Sequence, residues 1–325
     1  MTVLRGLLAA LLLILLAACG SGGGSDPKTL VVATHDSWAM SKSVMKAFTE
    51  QTGITVKVQP QGDAGELTNR LVLTKNDPTS DGFYGIDNTF SSRAVDGGIV
   101  AGEKLTPIDY SDVCVNVDDD WFRAHQLAAP KTLDDLIKPA YKGLFVTPGA
   151  TTSSPGLAFL LTTIAAKGDG WQDYWKALVA NGVKIDAGWS DAWDVDYTAG
   201  GGNGSRPIVL SYSSSPPDTI PEGGTEPTTS ALLDTCFRQV EYAGVLTRSD
   251  NAAGMKKFIA FMRNEEFQAA LPDNMYVYPI DKGVALPDGW TKFAPVSPKP
   301  YAVDPAEVTK NRSTWLREWR DLTSG

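Results

Sequence analysis

The chain has 325 residues, of which 29 are Lys or Arg and 38 are Asp or Glu, giving a formal net charge of −9. Nucleic-acid-binding proteins concentrate positive charge on their contact surface, so this acidic balance argues against a nucleic-acid partner. The length fits two lobes better than one, because single domains typically hold about 100–200 residues.

The N-terminal residues have the pattern of an export signal. Arg5 precedes an apolar run over residues 6–16, which is shorter than the roughly 20 residues of a membrane-spanning helix. The tetrapeptide LAAC that ends at Cys19 resembles a bacterial lipobox. We therefore expect a signal peptide over residues 1–18, a lipidated Cys19 and a flexible tether over residues 19–28, which would place the protein outside the cytoplasm, anchored to the cell membrane by its lipid. The alternative is cleavage elsewhere, with Cys19 incidental.

Strands and helices alternate along the rest of the chain. An apolar run at residues 30–34 is typical of a buried strand, an amphipathic helix follows over residues 41–50, and residues 54–58 predict the next strand. Such a unit forms a parallel pair with a right-handed crossover. Further strands are predicted at residues 81–86, 113–117, 145–147, 182–185, 207–210 and 236–243. Further helices are predicted after Asp63 (carrying Leu67, Leu71 and Leu73) and at residues 91–97, 132–137, 157–166, 171–180, 251–262, 264–270 and 308–322. The helix at 171–180 has an apolar face, which we expect to pack in the core rather than bind a ligand; it consists of Trp171, Tyr174, Trp175 and Leu178. The fold class is α/β.

Two cysteines other than Cys19 are present, Cys114 and Cys236. Exported proteins usually keep their cysteines in disulfides, so the leftover pair predicts a bond between these two residues. Two buried free thiols are the alternative. Neither cysteine stands in a spacing typical of a zinc or redox site.

Aromatic and hydroxyl side chains follow the predicted strand at residues 207–210. The run changes abruptly to Ser211-Tyr212-Ser213-Ser214-Ser215-Pro216-Pro217, and Trp189 and Trp193 lie just upstream. Ligands of open α/β sheets bind outside the carboxyl ends of the strands, so these rings could stack on a flat ligand. An ordinary Ser/Pro surface loop, with Trp193 in the core, is the alternative.

The sequence lacks the residue patterns of common enzymes. It has two histidines, His35 and His125, and no G-x-S-x-G motif after a strand. His35 is adjacent to Asp36 and Ser37, so these side chains cannot face one another as a catalytic triad does. We expect no enzyme activity, no metal and no cofactor. Carboxylates and rings at strand ends suit a flat cation instead; these residues are His35, Asp36, Asp63, Asp87, Trp189, Trp193, Tyr212 and Tyr276.

Several short stretches, in order and spacing, resemble the thiamine-binding substrate proteins of bacterial ABC importers. The resemblance covers nearly the whole exported chain and is carried by Thr34 to Trp38, Asn69 to Leu71, Gly85 to Asn88, Ser153 to Leu157, Gly188 to Ser190, Val209 to Tyr212, Tyr278-Pro279 and Trp315 to Trp319. It implies a type II periplasmic-binding fold, in which two α/β lobes are joined by crossover strands with the ligand cleft between them. The implied lobes are residues 29–113 with 237–280, and residues 114–236, followed by a helical segment at 281–325.

The resemblance also implies a ligand set. The family's stacking rings fall on Trp189 and Tyr212, and two more fall on His35 and Tyr276. An acidic residue falls on Asp63, with its role as a helix cap alone left open, and Asp87 could equally be a turn residue. A family Tyr falls on Asp218, and the hydroxyl loop falls on Thr152, Ser153 and Ser154. Thr151 replaces a basic residue of the family, which favours thiamine over its phosphates.

The implied function is capture of thiamine, or of a thiamine phosphate, by a monomer that delivers it to an ABC transporter permease. The alternative is a related binder of ferric iron or of another small cation such as a polyamine. Iron capture commonly uses adjacent tyrosines, and the chain has no Tyr-Tyr pair.

Overall fold

The computed structural model describes residues 28–102 and 105–324. The predicted signal peptide, the predicted lipidation site Cys19 and all but the last residue of the predicted tether lie outside these residues. None of the described helices is long and apolar enough to cross a membrane.

The described chain forms one mixed sheet flanked by helices. The strands are β1 (Thr29–Thr34), β2 (Thr55–Pro60), β3 (Gly82–Asp87), β4 (Thr106–Asp118), β5 (Phe145–Pro148), β6 (Lys184–Asp186), β7 (Ile208–Tyr212), β8 (Thr229–Ala231), β9 (Phe237–Val245) and β10 (Tyr278–Pro279). The helices are α1 (Lys42–Thr52), α2 (Ala64–Leu73), α3 (Ser91–Asp96), α4 (Asp119–Ala124), α5 (Ser154–Lys167), α6 (Trp171–Ala180), α7 (Ala252–Met262), α8 (Glu265–Met275), α9 (Trp290–Phe293) and α10 (Pro305–Thr323).

Two parallel groups of strands are joined by antiparallel ones. The strand order is β2-β1-β3-β9-β4-β7-β5-β6, and β8 and β10 also pair with β4. β1 is parallel to β2 and β3, and β5 is parallel to β6 and β7. β4 pairs with β9 along its first half and with β7 along its second half, so it passes from one group to the other. The α/β prediction with crossover strands is confirmed.

A disulfide links the two central antiparallel strands. Cys114 lies in β4 and Cys236 directly precedes β9, with their Cα atoms 4.2 Å apart and their sulfurs bonded. Both cysteines are fully buried. The disulfide therefore cross-links β4 and the start of β9, where the sheet changes from one parallel group of strands to the other.

The apolar stripe of α6 is buried as predicted. Trp171, Tyr174, Trp175 and Leu178 all belong to the main core. The C-terminal helix α10 covers this face, and Trp319 meets Trp175 edge-on with ring centroids 5.5 Å apart. The sequence prediction of core packing for this stripe is confirmed.

The helix predicted after Asp63 includes Leu73 as its last residue. Leu73 is 84% exposed, because it lies about 200° around the helix from Leu71, which faces the core. Some other local predictions were wrong. Residues 132–137 contain a 3₁₀ turn (Leu133–Ile137) rather than an α-helix. The strand predicted at 113–117 extends back to Thr106, and its buried Asp109 and Asp112 had obscured the apolar pattern there.

Candidate functional site

A cavity of about 220 Å³ lies beside the ends of β1 and β7, the middle of β4 and β9, and the C-terminus of α8. We call it the cleft. Its lining residues are His35, Ser37, Ala39, Asp63, Ala64, Asp109, Ser111, Ser154, Trp189, Trp193, Tyr212, Ser215, Asp218, Gln239, Glu241, Asn274, Met275, Tyr276 and Val277. Seven residues of the predicted ligand set are among them, namely His35, Asp63, Ser154, Trp189, Tyr212, Asp218 and Tyr276.

One wall of the cleft is aromatic. The rings of Trp189 and Tyr212 lie 6.0 Å apart, and Trp193 stacks behind Trp189 at 5.7 Å with an interplanar angle of 16°. The Trp189 indole N–H donates a 2.9 Å hydrogen bond to Ser211 Oγ. Trp193 is 4% exposed and belongs to a small core cluster, and the edge of its side chain also lines the cleft. The stacked pair holds the Trp189 ring in a fixed orientation.

Another aromatic ring, that of Tyr276, faces the cleft from the end of α8. Tyr276 ends this helix in the left-handed region at φ 53° and stacks on Trp290 at 6.4 Å. Burial, together with the nearby Asp218 carboxylate, raises the pKa of Tyr276 to about 12. Asp218 lies in a 3₁₀ turn, Pro216–Thr219, so the loop after β7 and the end of α8 meet at the cleft.

Asp63 connects two sides of the cleft. One carboxylate oxygen accepts the backbone N–H groups of Ala64 (2.6 Å) and Ser154 (3.2 Å), and the other accepts that of Trp189 (3.0 Å). Burial raises the pKa of Asp63, although these donors oppose the shift. Asp63 is therefore the predicted helix cap, and it also fixes the N-terminus of α5 and the aromatic wall.

The backbone at the start of α2 also lies close to the backbone of the loop before α5. The Glu66 N–H donates to the Thr152 carbonyl at 3.1 Å. A Cβ atom on Gly65 would lie 2.5 Å from the same oxygen, a distance that a larger residue could not accept. Gly65 thus allows the start of α2 to meet the hydroxyl loop directly.

Four residues of the predicted ligand set do not line the cleft among the described residues. Asp36 is exposed to solvent. Asp87 is fully buried, and one of its oxygens accepts from Thr89 and from the Phe90 N–H, so it is a turn residue. Thr152 donates to the Ala187 carbonyl at 2.5 Å, and Ser153 caps α5. The hydroxyls of Thr152 and Ser153 are therefore bonded within the protein, and Ser154 is the member of this loop that lines the cleft.

Sequence reasoning missed three polar residues on the floor of the cleft: Asp109 in β4, and Gln239 and Glu241 in β9. The sequence of β9 held a signal for these residues, because buried and half-buried side chains alternate along the strand. Its buried face carries Phe237, Gln239 and Glu241, and the face that carries Val240 is half-buried. Polar side chains on the buried face of an alternating strand point to a site that needs them.

The floor residues form one hydrogen-bonded cluster. The Tyr84 hydroxyl lies 2.5 Å from Asp109 Oδ2 and 2.9 Å from Glu241 Oε2. Glu241 Oε1 lies 3.5 Å from His35 Nε2, and His35 Nδ1 contacts Ser37 Oγ at 2.9 Å. A β-bulge at Gly85, with φ 96°, makes room for the histidine, since a Cβ there would lie 2.1 Å from the ring.

Charge is distributed unevenly within this cluster. Burial and the neighbouring charge of Glu241 raise the pKa of Asp109 well above its usual range. Burial would also raise the pKa of Glu241, but attraction to His35 and the Tyr84 hydrogen bond lower it overall. Burial lowers the pKa of His35, but the Glu241 carboxylate, together with Asp63 and Asp36, raises it overall. The cluster therefore favours a proton on Asp109 over one on Glu241, whose carboxylate lies beside His35.

Several proteins of known function are similar along nearly the whole chain. The thiamine-binding periplasmic protein of Salmonella typhimurium is 28% identical over 317 residues, covering 91% of this chain and 93% of that protein. The protein of the same name from Brucella suis is 29% identical over 319 residues, covering 91% and 92%.

Solved structures show the same likeness. A periplasmic thiamin binding protein has a TM-score of 0.82 at 26% identity, covering 91% of this chain and 96% of that chain. Iron-bound HitA from Pseudomonas aeruginosa shares the fold, with a TM-score of 0.71 at 23% identity and coverage of 90% and 99%. Residues 38–269 also match a family model. The chain therefore belongs to the family of bacterial extracellular solute-binding proteins.

Proposed function

We propose that this protein captures thiamine outside the cytoplasm and delivers it to the permease of an ABC transporter, acting as a monomeric binding protein rather than an enzyme. The observation that carries the proposal is the cleft itself, in which Trp189 and Tyr212 form a wall above buried carboxyl groups. Support also comes from the relatives named for thiamine binding, which align over 91% of the chain.

The chemistry of the cleft matches that of thiamine. The vitamin has two flat rings and a permanent positive charge on its thiazolium. A cation over an aromatic face gains about 0.5–2 kcal/mol, whereas nanomolar affinity needs about 12 kcal/mol in total. Several rings and a counter-charge are therefore required. Trp189, Tyr212, Tyr276 and His35 would supply flat surfaces, and the carboxylates of Asp63 and Glu241 would supply negative charge.

We propose that ligand capture closes two lobes, residues 29–113 with 237–280, and residues 114–236. Asp63 belongs to the first of these and accepts hydrogen bonds from Ser154 and Trp189 in the second. A ligand that touches both sides only in the closed form shifts the population toward closure.

Titration calorimetry of the purified protein with thiamine tests the proposed ligand. We expect one binding site with a submicromolar dissociation constant. Spermidine and ferric citrate serve as controls for the polyamine and iron alternatives and should give no saturable heat. Absence of binding at micromolar thiamine, or tighter binding of either control, would refute the proposal.

We further propose that a lipid on Cys19 holds the protein at the outer face of the cell membrane. Detergent phase partitioning after expression in a bacterial host tests this. The unchanged protein should enter the detergent phase, and Cys19→Ser should move to the aqueous phase. A Cys114→Ala/Cys236→Ala variant, which keeps Cys19, should stay with the detergent. Equal partitioning of the Cys19→Ser and unchanged proteins would refute the anchor.

A further inference from the structure

Two buried carboxyl groups compete for one phenol at the floor of the cleft. The Tyr84 hydroxyl lies within hydrogen-bond distance of both Asp109 and Glu241, at 2.5 and 2.9 Å. A hydroxyl has a single proton, so it can donate to only one of the two carboxyl groups at a time. All three residues are at least nine-tenths buried, and two buried carboxylates this close do not both ionise without a further positive charge.

The cluster also presents unused acceptors. Asp109 Oδ1 and Gln239 Oε1 are buried and have no hydrogen-bond partner among the described residues, yet both side chains line the cleft. Buried polar atoms are paired in nearly all folded proteins, because leaving one unpaired costs about 1–3 kcal/mol. Unpaired acceptors beside a cavity therefore indicate that a ligand supplies the missing donor or charge.

The surrounding groups of the described chain supply no further positive charge that could balance an ionised Asp109. The titratable neighbours are His35 and Asp36 after β1, Asp63 before α2, Tyr84 and Asp87 in β3, Asp109 in β4, Tyr212 in β7 and Glu241 in β9. His35 is the one base among them, and it already pairs with Glu241. No Lys or Arg lines the cleft among the described residues. The site therefore has room for one more positive charge.

We propose that Asp109, Glu241 and Gln239 form the charge-recognition subsite of the cleft, and that Asp109 gives up its proton when a cation binds. The inference deepens the proposed function and rests on it. In the free protein the proton stays on Asp109, which is neutral beside Glu241. A bound cation lowers the cost of the second negative charge, and the proton passes to the buffer, so one positive charge enters as another leaves.

Burial and the charge of Glu241 both raise the pKa of Asp109. A bound cation offsets the charge of Glu241 and therefore lowers the pKa of Asp109. The protonated form must lose its proton to bind well, so binding strengthens as pH rises. Below the pKa of Asp109 in the free protein, affinity should increase about tenfold per pH unit, since one proton is exchanged per ligand.

Proton counting by calorimetry tests the proposal directly. Thiamine is titrated into the purified protein at pH 7 in phosphate and in Tris, whose ionisation enthalpies differ, and the difference in apparent binding enthalpy gives the protons released. We expect about one proton for the unchanged protein and close to none for Asp109→Asn, whose thiamine affinity should fall at least tenfold. The matched control Asp169→Asn removes an exposed carboxylate far along the chain and should release the same proton as the unchanged protein.

The pH dependence of the unchanged protein gives a second test that does not rely on a folded variant. The dissociation constant for thiamine should fall as pH rises from 5 to 8, and binding of neutral thiochrome, the oxidised tricyclic analogue, should release no proton. Thiamine binding with no proton release, or equal release from Asp109→Asn, overturns the assignment. A protein that binds no thiamine at any pH overturns the proposed function instead, and this inference with it.

Discussion

The Asp63 carboxylate accepts the backbone N–H of Trp189 at 3.0 Å. The same carboxylate begins α2 by accepting from Ala64 and also accepts from Ser154 at the start of α5. One side chain thus satisfies backbone donors from three separate segments, which helix N-termini otherwise leave unpaired. Asp63 thereby positions Trp189 in the aromatic wall, although the two residues are 126 positions apart in the sequence.

Asp63→Ala should weaken both stability and binding. Removing a buried acceptor leaves three donors unsatisfied, and each such loss costs about 1–3 kcal/mol. We expect the free energy of unfolding to fall by at least about 2 kcal/mol and the thiamine dissociation constant to rise at least tenfold. Urea unfolding and calorimetry measure the two effects. Asp63→Asn keeps one acceptor oxygen, so its free energy of unfolding and its thiamine affinity should lie between those of the unchanged protein and Asp63→Ala. An unchanged free energy of unfolding in Asp63→Ala would show that the cap contributes little.

Trp189→Ala should weaken thiamine binding while the protein stays folded. A desolvated cation over an indole face contributes about 2 kcal/mol, which corresponds to roughly a 30-fold rise in the dissociation constant. Tryptophan fluorescence quenching and calorimetry would measure it. Trp121→Ala is the matched control, because that half-buried indole stacks on His125 outside the cleft. Equal affinity of the two variants would contradict the role of Trp189.

The rings of Tyr212 and His35 could be predicted because each stands at the end of a strand whose apolar run stops abruptly. Tyr276 instead ends the helix α8, and the family resemblance pointed to it. The floor was missed because Asp109 and Glu241 lie inside strands, where a carboxyl group ordinarily faces solvent. Their burial depends on Tyr84 and His35, which are distant in sequence and meet them only through the pairing of β3 with β9.

Asp87 illustrates the opposite case, a predicted ligand residue that does not line the cleft. It stands at the end of β3, where ligand carboxylates are expected, yet its side chain turns back to Thr89 and Phe90. Sequence alone does not distinguish the two directions, because a turn and a ligand site both place an acidic residue after a strand.

The burial of Asp87 predicts a pH dependence of stability. Burial, partly opposed by the Thr89 hydrogen bond, raises its pKa to about 7. A carboxyl group whose pKa is higher in the folded state stabilises the fold while protonated, so this stability is complete below about pH 4 and is lost as pH rises through 7. This rise in the pKa of Asp87 corresponds to at most about 4 kcal/mol of folding stability.

Asp87→Asn should remove that dependence. Between pH 4 and pH 8 the unchanged protein should lose stability relative to Asp87→Asn. The difference between their free energies of unfolding should change by an amount on the order of 2–4 kcal/mol. Urea unfolding at a series of pH values measures it. A difference that stays constant over this range would show that the buried Asp87 keeps an ordinary pKa.

The disulfide should stabilise the fold without affecting the ligand. Cys114 and Cys236 are 122 residues apart, and loss of a native disulfide typically costs about 2–5 kcal/mol. Reductant should lower the urea midpoint of the unchanged protein, and Cys114→Ala/Cys236→Ala should show the lower midpoint with or without reductant. Thiamine affinity should change less than threefold, because neither cysteine lines the cleft. A large loss of affinity would instead indicate that the bond positions the site.

Thiamine diphosphate should bind more weakly than thiamine. A bound phosphate requires a basic side chain or several free backbone donors, but the cleft is lined by Asp63, Asp109, Asp218 and Glu241, with no Lys or Arg among its described lining residues. The Oγ atom of Ser153 and the backbone N–H of Ser154, which could have faced a phosphate, are already bonded within the cap of α5 and to Asp63.

Competition calorimetry gives the comparison. We expect the dissociation constant of the diphosphate to exceed that of thiamine at least tenfold at low salt, and the gap to narrow as salt screens the repulsion. Thr151→Lys places a positive charge beside the hydroxyl loop, where the family resemblance implies a basic residue, and should favour the diphosphate over thiamine relative to the unchanged protein. Thr151→Gln, of similar length but uncharged, is its control. Equal affinity for both ligands in the unchanged protein would mean that the phosphates reach solvent and that the acidic lining does not act on them.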